Sequence, residues 1–290
     1  MSSDEPVVLG ISTCPNDTFA FHALLTGEVT TPFPLQIELL DVQQLNERML
    51  QGKFDAAKVS FHAALRMVED IVVFGSGSAL GFGVGPVILA RQDLPPLNEH
   101  SGGARVLCPG EWTTATLLYR LFHEGRDEAA LRSQHVLSQC IFSDIIPALE
   151  SGEADYGVCI HEGRFVYADK GLQCVEDLGE TWERATHAPL PLGGIVGQRR
   201  LGADRLRALQ QAIHESLLWA REHPEATRPT LRQYAQELDD EVLGSHIELY
   251  VNEWTMNLGE QGVDALSQLH RIATERGLIA AETPTFTFVL

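Results

Sequence analysis

The sequence contains no apolar run as long as the roughly 18 residues that a membrane-spanning helix requires, although 44% of its 290 residues are hydrophobic. Basic charge is also scarce, because 21 Lys and Arg stand against 40 Asp and Glu and leave a formal net charge of −19. A phosphate backbone binds to a basic surface. We therefore expect neither a membrane nor a nucleic acid as partner, whereas an anionic small molecule is compatible with a site that supplies local donors.

Cysteine is sparse and irregularly spaced. The chain has five cysteines, an odd number, and no C-x-x-C pair. This argues against a disulfide framework and a zinc site, so reduced, packed thiols are expected. The eleven histidines include no H-E-x-x-H pattern, and we predict no bound metal. The N-terminus lacks the basic start and longer apolar run of a signal peptide, which predicts a cytoplasmic protein.

Short apolar runs alternate with segments of helical period along most of the chain. Strands are predicted at residues 7–12, 35–42, 56–61, 71–74, 86–90, 106–108, 135–140, 156–161 and 195–198. Helices are predicted between several of them, as at 17–25 and 113–122. This alternation predicts an α/β fold with helices on the faces of parallel sheets. A length of 290 residues favours two compact units.

The last third of the chain is predicted to be helical. Leu206, Leu209, Ile213 and Leu217 recur at spacings of three and four, which places them on one face of a helix. Pro224 is predicted to end that helix. Two further helices are predicted at about 239–253 and 261–276, and Gly277 stands where a C-terminal cap glycine belongs.

Two segments about 100 residues apart share one pattern. Residues 50–61 and 149–161 each contain a helix end, a glycine, an Asp three positions later and then a buried strand. A similar strand, loop and helix start precedes each segment. In open α/β sheets, ligands lie beyond the carboxyl ends of strands and at helix N-termini. Two lobes of similar construction therefore place the loops 12–18, 58–62, 111–115 and 161–164 around one cleft.

His161 is the first candidate for chemistry. It ends a strand that is otherwise apolar and precedes Glu162, Gly163 and Arg164. An imidazole at that position is partly desolvated and suits a general base near neutral pH. A hydrogen-bonded structural histidine is the alternative, and the residues themselves do not separate the two interpretations.

Lys58 and Ser60 end the matching strand of the first lobe, and Thr113 and Thr114 open a helix after a Pro-Gly turn. A lysine in a buried strand pairs either with a ligand anion or with an internal carboxylate. Either threonine is a candidate N-cap, and the same helix start offers hydroxyl and backbone N–H groups to a carboxylate.

For two further features of the sequence, a structural role is the better interpretation. Cys14 is compatible with a thiol nucleophile near a helix N-terminus, but a packed Cys14 with Asp17 as the N-cap fits the sequence better. The glycine-rich residues 75–86 fail the test for a dinucleotide-binding loop, because a strand rather than a helix is predicted to follow them.

The chain resembles the 1,4-dihydroxy-6-naphthoate synthases of the futalosine route to menaquinone. The resemblance runs from about residue 7 to the C-terminus and rests on eight segments in order. They are 14–19 (CPNDTF), 58–60 (KVS), 79–86 (ALGFGVGP), 113–115 (TTA), 161–167 (HEGRFVY), 177–183 (DLGETWE), 189–193 (PLPLG) and 250–252 (YVN). The chain departs from the family at His187, where glycine is usual.

The resemblance implies a two-lobed type II periplasmic-binding-protein-like fold with a ligand cleft between the lobes. Residues 1–91 plus 194–290 form one expected lobe and residues 92–193 the other. The implied reaction converts cyclic dehypoxanthine futalosine into 1,4-dihydroxy-6-naphthoate and dihydroxyacetone without a cofactor or metal. The implied proton acceptor is His161. The expected substrate-binding residues are Lys58, Val59, Ser60, Thr114 and Ala115, together with Asn16, Thr113 and Arg164 of the cleft loops.

Two other functions remain open from the sequence. The fold also suits a non-catalytic binding or sensor protein for a small carboxylate, because a fold does not by itself determine function. A hydrolase that uses the Cys14 thiol is a weaker alternative. The sequence is compatible with a monomer or a homodimer.

Overall fold

The computed structural model describes residues 5–100, 103–124, 135–161, 163–234 and 239–289, and its strands form two mixed sheets. The first sheet has the order β2-β1-β3-β11-β4, with β5 also paired to β11, and the second has the order β10-β6-β9-β7-β8. The strands are β1 Val7–Ser12, β2 Leu35–Leu40, β3 Ala56–Ser60, β4 Ile71–Val73, β5 Ala79–Gly81, β6 Val87–Arg91, β7 Ala104–Cys108, β8 His135–Gln139, β9 Tyr156–Cys159, β10 Leu172–Asp177 and β11 Leu190–Gln198.

Helices pack against both sheets. The described α-helices are α1 Pro15–Ala20, α2 His22–Thr26, α3 Val42–Leu50, α4 Phe61–Leu65, α5 Thr114–His123, α6 Phe142–Ser151, α7 Gly163–Val166, α8 Leu178–Thr186, α9 Ala203–Glu222, α10 Pro224–Tyr234, α11 Asp240–Tyr250, α12 Glu253–Met256 and α13 Gly259–Glu275. None of these described helices has the length and apolar character needed to cross a bilayer. The predicted α/β class is confirmed.

The chain crosses between the sheets twice. It leaves the first sheet after β5, enters the second through β6, and returns from β10 to the first through β11. Strand β6 pairs with β9 and β10, so sheet membership changes between Gly81 and Val87 and again between Asp177 and Leu190. The lobe limits at 91/92 and 193/194 remain predictions. They place β6 in the first lobe, whereas its strand partners belong to the second sheet.

The shared pattern of residues 50–61 and 149–161 has a common structure. Asp55 Oδ2 accepts a hydrogen bond from the Val8 N–H at 3.0 Å, and its own N–H donates to the Val8 carbonyl at 3.0 Å. Asp155 makes the same two bonds with Arg105, at 2.8 Å and 3.0 Å. The glycine three positions earlier has a positive φ of 69° in one copy and 75° in the other. In both copies the aspartate thus holds the start of a strand against its parallel neighbour.

Helix α9 carries the predicted apolar face. Leu209, Ile213 and Leu217 are fully buried, and they belong to one hydrophobic cluster with Leu9 and Ile195 of the first sheet. The prediction that this helix ends at Pro224 is confirmed, because α9 ends at Glu222 and a new helix, α10, begins at Pro224. Proline is tolerated in the first turn of a helix, where its missing N–H has no intrahelical partner.

Three other features differ from the predicted elements. The helix predicted at 17–25 is divided into α1 and α2 at Phe21. Strands β5 and β10 were not predicted, since β5 has three residues and β10 is mostly half-buried. The glycine expected to cap the last helix is confirmed, because Gly277 has a φ of 72° and the Leu278 N–H bonds back to the Ala273 carbonyl at 2.9 Å.

The backbones of Gly85 and Gly179 touch where the crossover from β5 to β6 meets α8. A Cβ atom on Gly85 would lie 2.2 Å from the Gly179 Cα. We expect Gly85→Ala to lower the free energy of unfolding by about 1–3 kcal/mol, because neither backbone can move independently of its element. Gly103→Ala is the matched control, since its added Cβ meets nothing within 4 Å. Equal urea-unfolding midpoints for the two variants would contradict this prediction.

Candidate active site

A cavity lies between the two sheets and brings together all of the predicted site residues. Its wall includes Ser12, Cys14, Asn16, Asp17, Lys58, Val59, Ser60, Thr113, Thr114, Ala115, Ile160, His161, Arg164, His246 and Tyr250. The four predicted loops therefore converge. Which of these side chains contact a substrate remains a prediction.

His161 follows β9 in an unusual backbone conformation. Its φ is 55°, and the only other described non-glycine residue with a positive φ is His187. This left-handed turn re-aims the chain at the carboxyl end of the buried strand. The imidazole packs edge-on against Phe142, with ring centroids 4.8 Å apart, and faces the cavity.

The His161 ring is held neutral. Burial lowers its pKa from the ordinary value of 6.5 to about 4, and the positive charge of Lys58 acts in the same direction. Cys14 Sγ lies 3.3 Å from Nδ1 and 3.5 Å from Nε2, so the thiol of the first lobe contacts the histidine of the second. At neutral pH the ring can therefore accept a proton.

Lys58 and Asp17 form a buried ion pair that borders the cavity. Lys58 Nζ donates to Asp17 Oδ1 at 2.8 Å and to the Gly77 carbonyl at 2.8 Å. The two residues are 6% and 2% exposed. The predicted N-cap role of Asp17 was wrong, because Cys14 occupies that position and no side chain caps α1. An ammonium group has three donors, and the described residues supply partners for two of them.

The start of α5 presents backbone donors to the cavity. Thr113 is the N-cap, and its hydroxyl accepts from the Thr116 N–H at 3.2 Å and donates to the Gly110 carbonyl at 2.8 Å. The Thr114 hydroxyl donates to the Leu192 carbonyl at 2.5 Å. Within the described chain, the N–H groups of Thr114 and Ala115 have no hydrogen-bond partner. A helix N-terminus with free N–H groups favours an anion.

The remaining predicted residues are tied to the protein by named contacts. The Asn16 side-chain amide donates to Asp17 Oδ1 at 2.9 Å. The Arg164 guanidinium donates to the Gly85 carbonyl at 2.8 Å and to Asp177 Oδ2 at 2.6 Å, which braces the turn after His161. Both residues still border the cavity.

Asn46 was not predicted, although it fixes one of the predicted residues. Its Oδ1 accepts from the Ser60 N–H at 2.8 Å, and its Nδ2 donates to Ser60 Oγ at 3.1 Å. Asn46 is fully buried on α3 beside Leu45 and Met49. A polar residue on the apolar face of a predicted helix is the sequence signal that could have identified it.

His246 and Tyr250 reach the cavity from α11 and were not predicted either. Tyr250 lies in one of the segments that carry the family resemblance, but the sequence gives no indication that His246, one turn earlier, faces the same space. The described residues contain no group of three or more His, Cys, Asp or Glu that could hold a metal ion.

Buried imidazoles near the cavity predict acid sensitivity. Burial lowers the pKa of His62 from 6.5 to about 4, although its Nδ1–H donates to the Thr113 carbonyl at 3.1 Å. Between these values the unfolded chain binds more protons than the folded one. The contribution of neutral His62 to the free energy of unfolding is therefore fully present above about pH 6.5. It falls as the pH drops towards 4, by up to about 1.4 kcal/mol per pH unit. Urea unfolding of His62→Asn between pH 5 and 7.5 should show a shallower pH dependence than the wild type, and an unchanged dependence would contradict this assignment.

A family model described as menaquinone biosynthesis matches residues 7–275. The chain belongs to this menaquinone-biosynthesis family. It is 41% identical over 285 residues to a 1,4-dihydroxy-6-naphthoate synthase of Thermus thermophilus, with 98% of this chain and 100% of the relative covered. It is 38% identical over 284 residues to the synthase of Streptomyces coelicolor, with 98% of each chain covered. The predicted family is confirmed, and the protein is an enzyme of the 1,4-dihydroxy-6-naphthoate synthase family.

Solved structures confirm the fold. A crystal structure of an Archaeoglobus fulgidus protein superposes with a TM-score of 0.85 at 30% identity, covering 94% of this chain and 98% of that one. The alkanesulfonate-binding protein SsuA of Xanthomonas axonopodis pv. citri, solved with MOPS bound, superposes with a TM-score of 0.71 at 14% identity, covering 100% and 98%. The second likeness concerns the fold alone. This member of the 1,4-dihydroxy-6-naphthoate synthase family thus has the predicted two-lobed, periplasmic-binding-protein-like architecture.

Proposed function

We propose that the protein is a carbon–carbon lyase of the futalosine pathway, which converts cyclic dehypoxanthine futalosine into 1,4-dihydroxy-6-naphthoate and releases dihydroxyacetone. The observation that carries the proposal is the cavity itself. A neutral imidazole follows one buried strand, and the same cavity is lined by helix N–H groups without a partner in the described chain and by a lysine ammonium. Membership of the synthase family supports 1,4-dihydroxy-6-naphthoate as the product.

His161 acts as the general base in this proposal. The cleavage forms an aromatic ring, so its chemistry requires a proton to be removed and the resulting negative oxygen to be stabilised. His161 is neutral, borders the cavity and is fixed by its contacts with Phe142 and Cys14. The proton passes to a ring nitrogen, and an imidazolium forms that an anionic substrate nearby would stabilise.

The donors of both lobes hold the anionic part of the substrate. The N–H groups of Thr114 and Ala115 point from the start of α5, and the third donor of the Lys58 ammonium is available from the other lobe. Both groups are fixed before substrate arrives, because Thr114 is bonded to Leu192 and Lys58 to Asp17. Fixed donors cost no reorganisation during the reaction, which is the condition for electrostatic catalysis.

Product formation tests the proposal directly. Purified protein should convert cyclic dehypoxanthine futalosine to 1,4-dihydroxy-6-naphthoate and an equal amount of dihydroxyacetone, both measured by mass spectrometry. Addition of a chelator should leave the rate unchanged, since the proposed chemistry uses side chains alone. Tight binding of the substrate without either product would contradict the lyase and favour a binding or sensor protein. A Cys14→Ser variant that retains turnover would exclude the Cys14 thiol as a nucleophile. A thiol-specific reagent that stops the wild-type reaction would then act by blocking the cavity.

A further inference from the structure

His246 is a buried histidine of the cavity wall that the proposed reaction does not yet use. It lies on α11, one turn before Tyr250, and is only 1% exposed. The helix belongs to the C-terminal third of the chain, which contributes neither Lys58 nor the start of α5. The cavity is therefore lined by a third, independent element.

Neither ring nitrogen of His246 has a hydrogen-bond partner within the part of the chain that the structure describes. Other buried histidines differ in this respect. His62 Nδ1 lies 3.1 Å from the Thr113 carbonyl, and His22 Nδ1 lies 2.7 Å from the Thr230 hydroxyl. A buried polar group without a partner costs about 1–3 kcal/mol, and native proteins contain few of them. An imidazole retained at this cost in a cavity wall fits a ligand that completes its hydrogen bonds.

Aromatic neighbours fix the orientation of the ring. The His246 ring centroid lies 4.5 Å from that of Tyr250 and 6.3 Å from that of Phe165. It lies 6.4 Å from the His161 ring, and the two planes are inclined by 28°. A substrate that reaches His161 therefore also lies beside His246.

The two histidines are suited to different tasks. Burial, together with a smaller effect of charge on His161, lowers the pKa of His246 to about 3. When His161 takes up a proton, the new positive charge opposes a second proton on a ring 6.4 Å away. His246 thus stays neutral throughout, with one N–H donor and one acceptor nitrogen.

We propose that His246 is a second catalytic residue of the cleft, whose neutral imidazole donates a hydrogen bond to the substrate oxygen that becomes negative when His161 removes the proton. No bond to His246 forms or breaks, and its own proton stays on the ring. The assignment rests on the proposed lyase function and adds the group that stabilises the developing charge.

Two substitutions of His246 test this role. His246→Phe keeps the ring and removes both nitrogens, so we expect kcat to fall about 10²–10³-fold, the usual effect of removing one such donor. Its thermal unfolding midpoint should equal or exceed that of the wild type, because an unpartnered polar group is lost. His246→Gln restores a donor and should recover at least a tenth of the lost turnover.

His22→Phe is the matched control. His22 is also buried and stacks on Trp219, but it lies outside the cavity wall and bonds to Thr230. Its replacement should lower stability and leave kcat unchanged, which is the reverse of the pattern expected at His246. A His246→Phe enzyme with kcat within threefold of the wild type would overturn the proposal, as would equal losses in the Phe and Gln variants.

A binding measurement separates this inference from the proposed function. Absence of naphthoate from the wild-type reaction would contradict the lyase itself. Fluorescence titration with 1,4-dihydroxy-6-naphthoate then still tests whether His246 contacts a bound ligand. If His246 donates a hydrogen bond to a ligand oxygen, the His246→Phe variant should bind the naphthoate at least tenfold more weakly than the wild type. Equal affinities of wild type and variant would show that His246 does not contact the ligand.

Discussion

Replacement of His161 by asparagine is expected to lower kcat about 10²–10⁴-fold, the usual contribution of a positioned general base. Asparagine is chosen because it tolerates the left-handed conformation that His161 adopts at φ 55°. The backbone turn is thereby kept while the proton acceptor is lost. The effect should appear in kcat rather than in KM, since the neutral ring is not the anchor of the anionic group.

The same substitution at His187 is the control. His187 has a φ of 56°, is exposed and lies outside the cavity wall. His187→Asn should therefore turn over substrate at the wild-type rate. If His161→Asn retains near-normal kcat and His187→Asn does too, the base is another group. The left-handed φ is one that glycine adopts without strain, which agrees with the glycine that the family resemblance led us to expect at this position.

Replacement of Lys58 by methionine is expected to destabilise the protein by about 3–5 kcal/mol, because it leaves the Asp17 carboxylate buried without its counter-charge. Among the described residues, the carboxylate then keeps two donors, the Asn16 amide at 2.9 Å and the Ser12 N–H at 3.3 Å. Urea unfolding at pH 7.5 measures the loss. A change of less than 1 kcal/mol would contradict a structural role for the pair.

The double variant Lys58→Met, Asp17→Asn separates stability from substrate binding. It removes both charges together, so most of the lost stability should return, as it does when buried ion pairs are replaced as a unit. If Lys58 also holds the anionic part of the substrate, KM should stay at least tenfold above the wild-type value in this stable protein. Recovery of both stability and KM would assign Lys58 to the ion pair alone.

Site residues in the cleft loops could be predicted from the sequence, whereas those inside helices could not. The loops around Lys58, Thr114 and His161 were predicted because each follows a strong local signal, a buried strand end or a capped helix start. Asn46 and His246 were missed because each lies inside a helix, and its role depends on a residue far away in sequence, Ser60 for Asn46 and His161 for His246. The Lys58–Asp17 pair joins residues 41 apart in sequence, and no local pattern relates them.

The order of amino acids was enough to predict the α/β class, the repeated strand–loop–helix units, the helical C-terminal third and the family. These properties rest on hydrophobic period, turn residues and motif order, which are local along the chain. Three features could be read only from the folded chain: β6 joins the second sheet, Asp17 neutralises Lys58, and the His246 ring lies beside His161. The physical reason is that charge pairing, desolvation and strand partnership depend on distances between segments far apart in sequence.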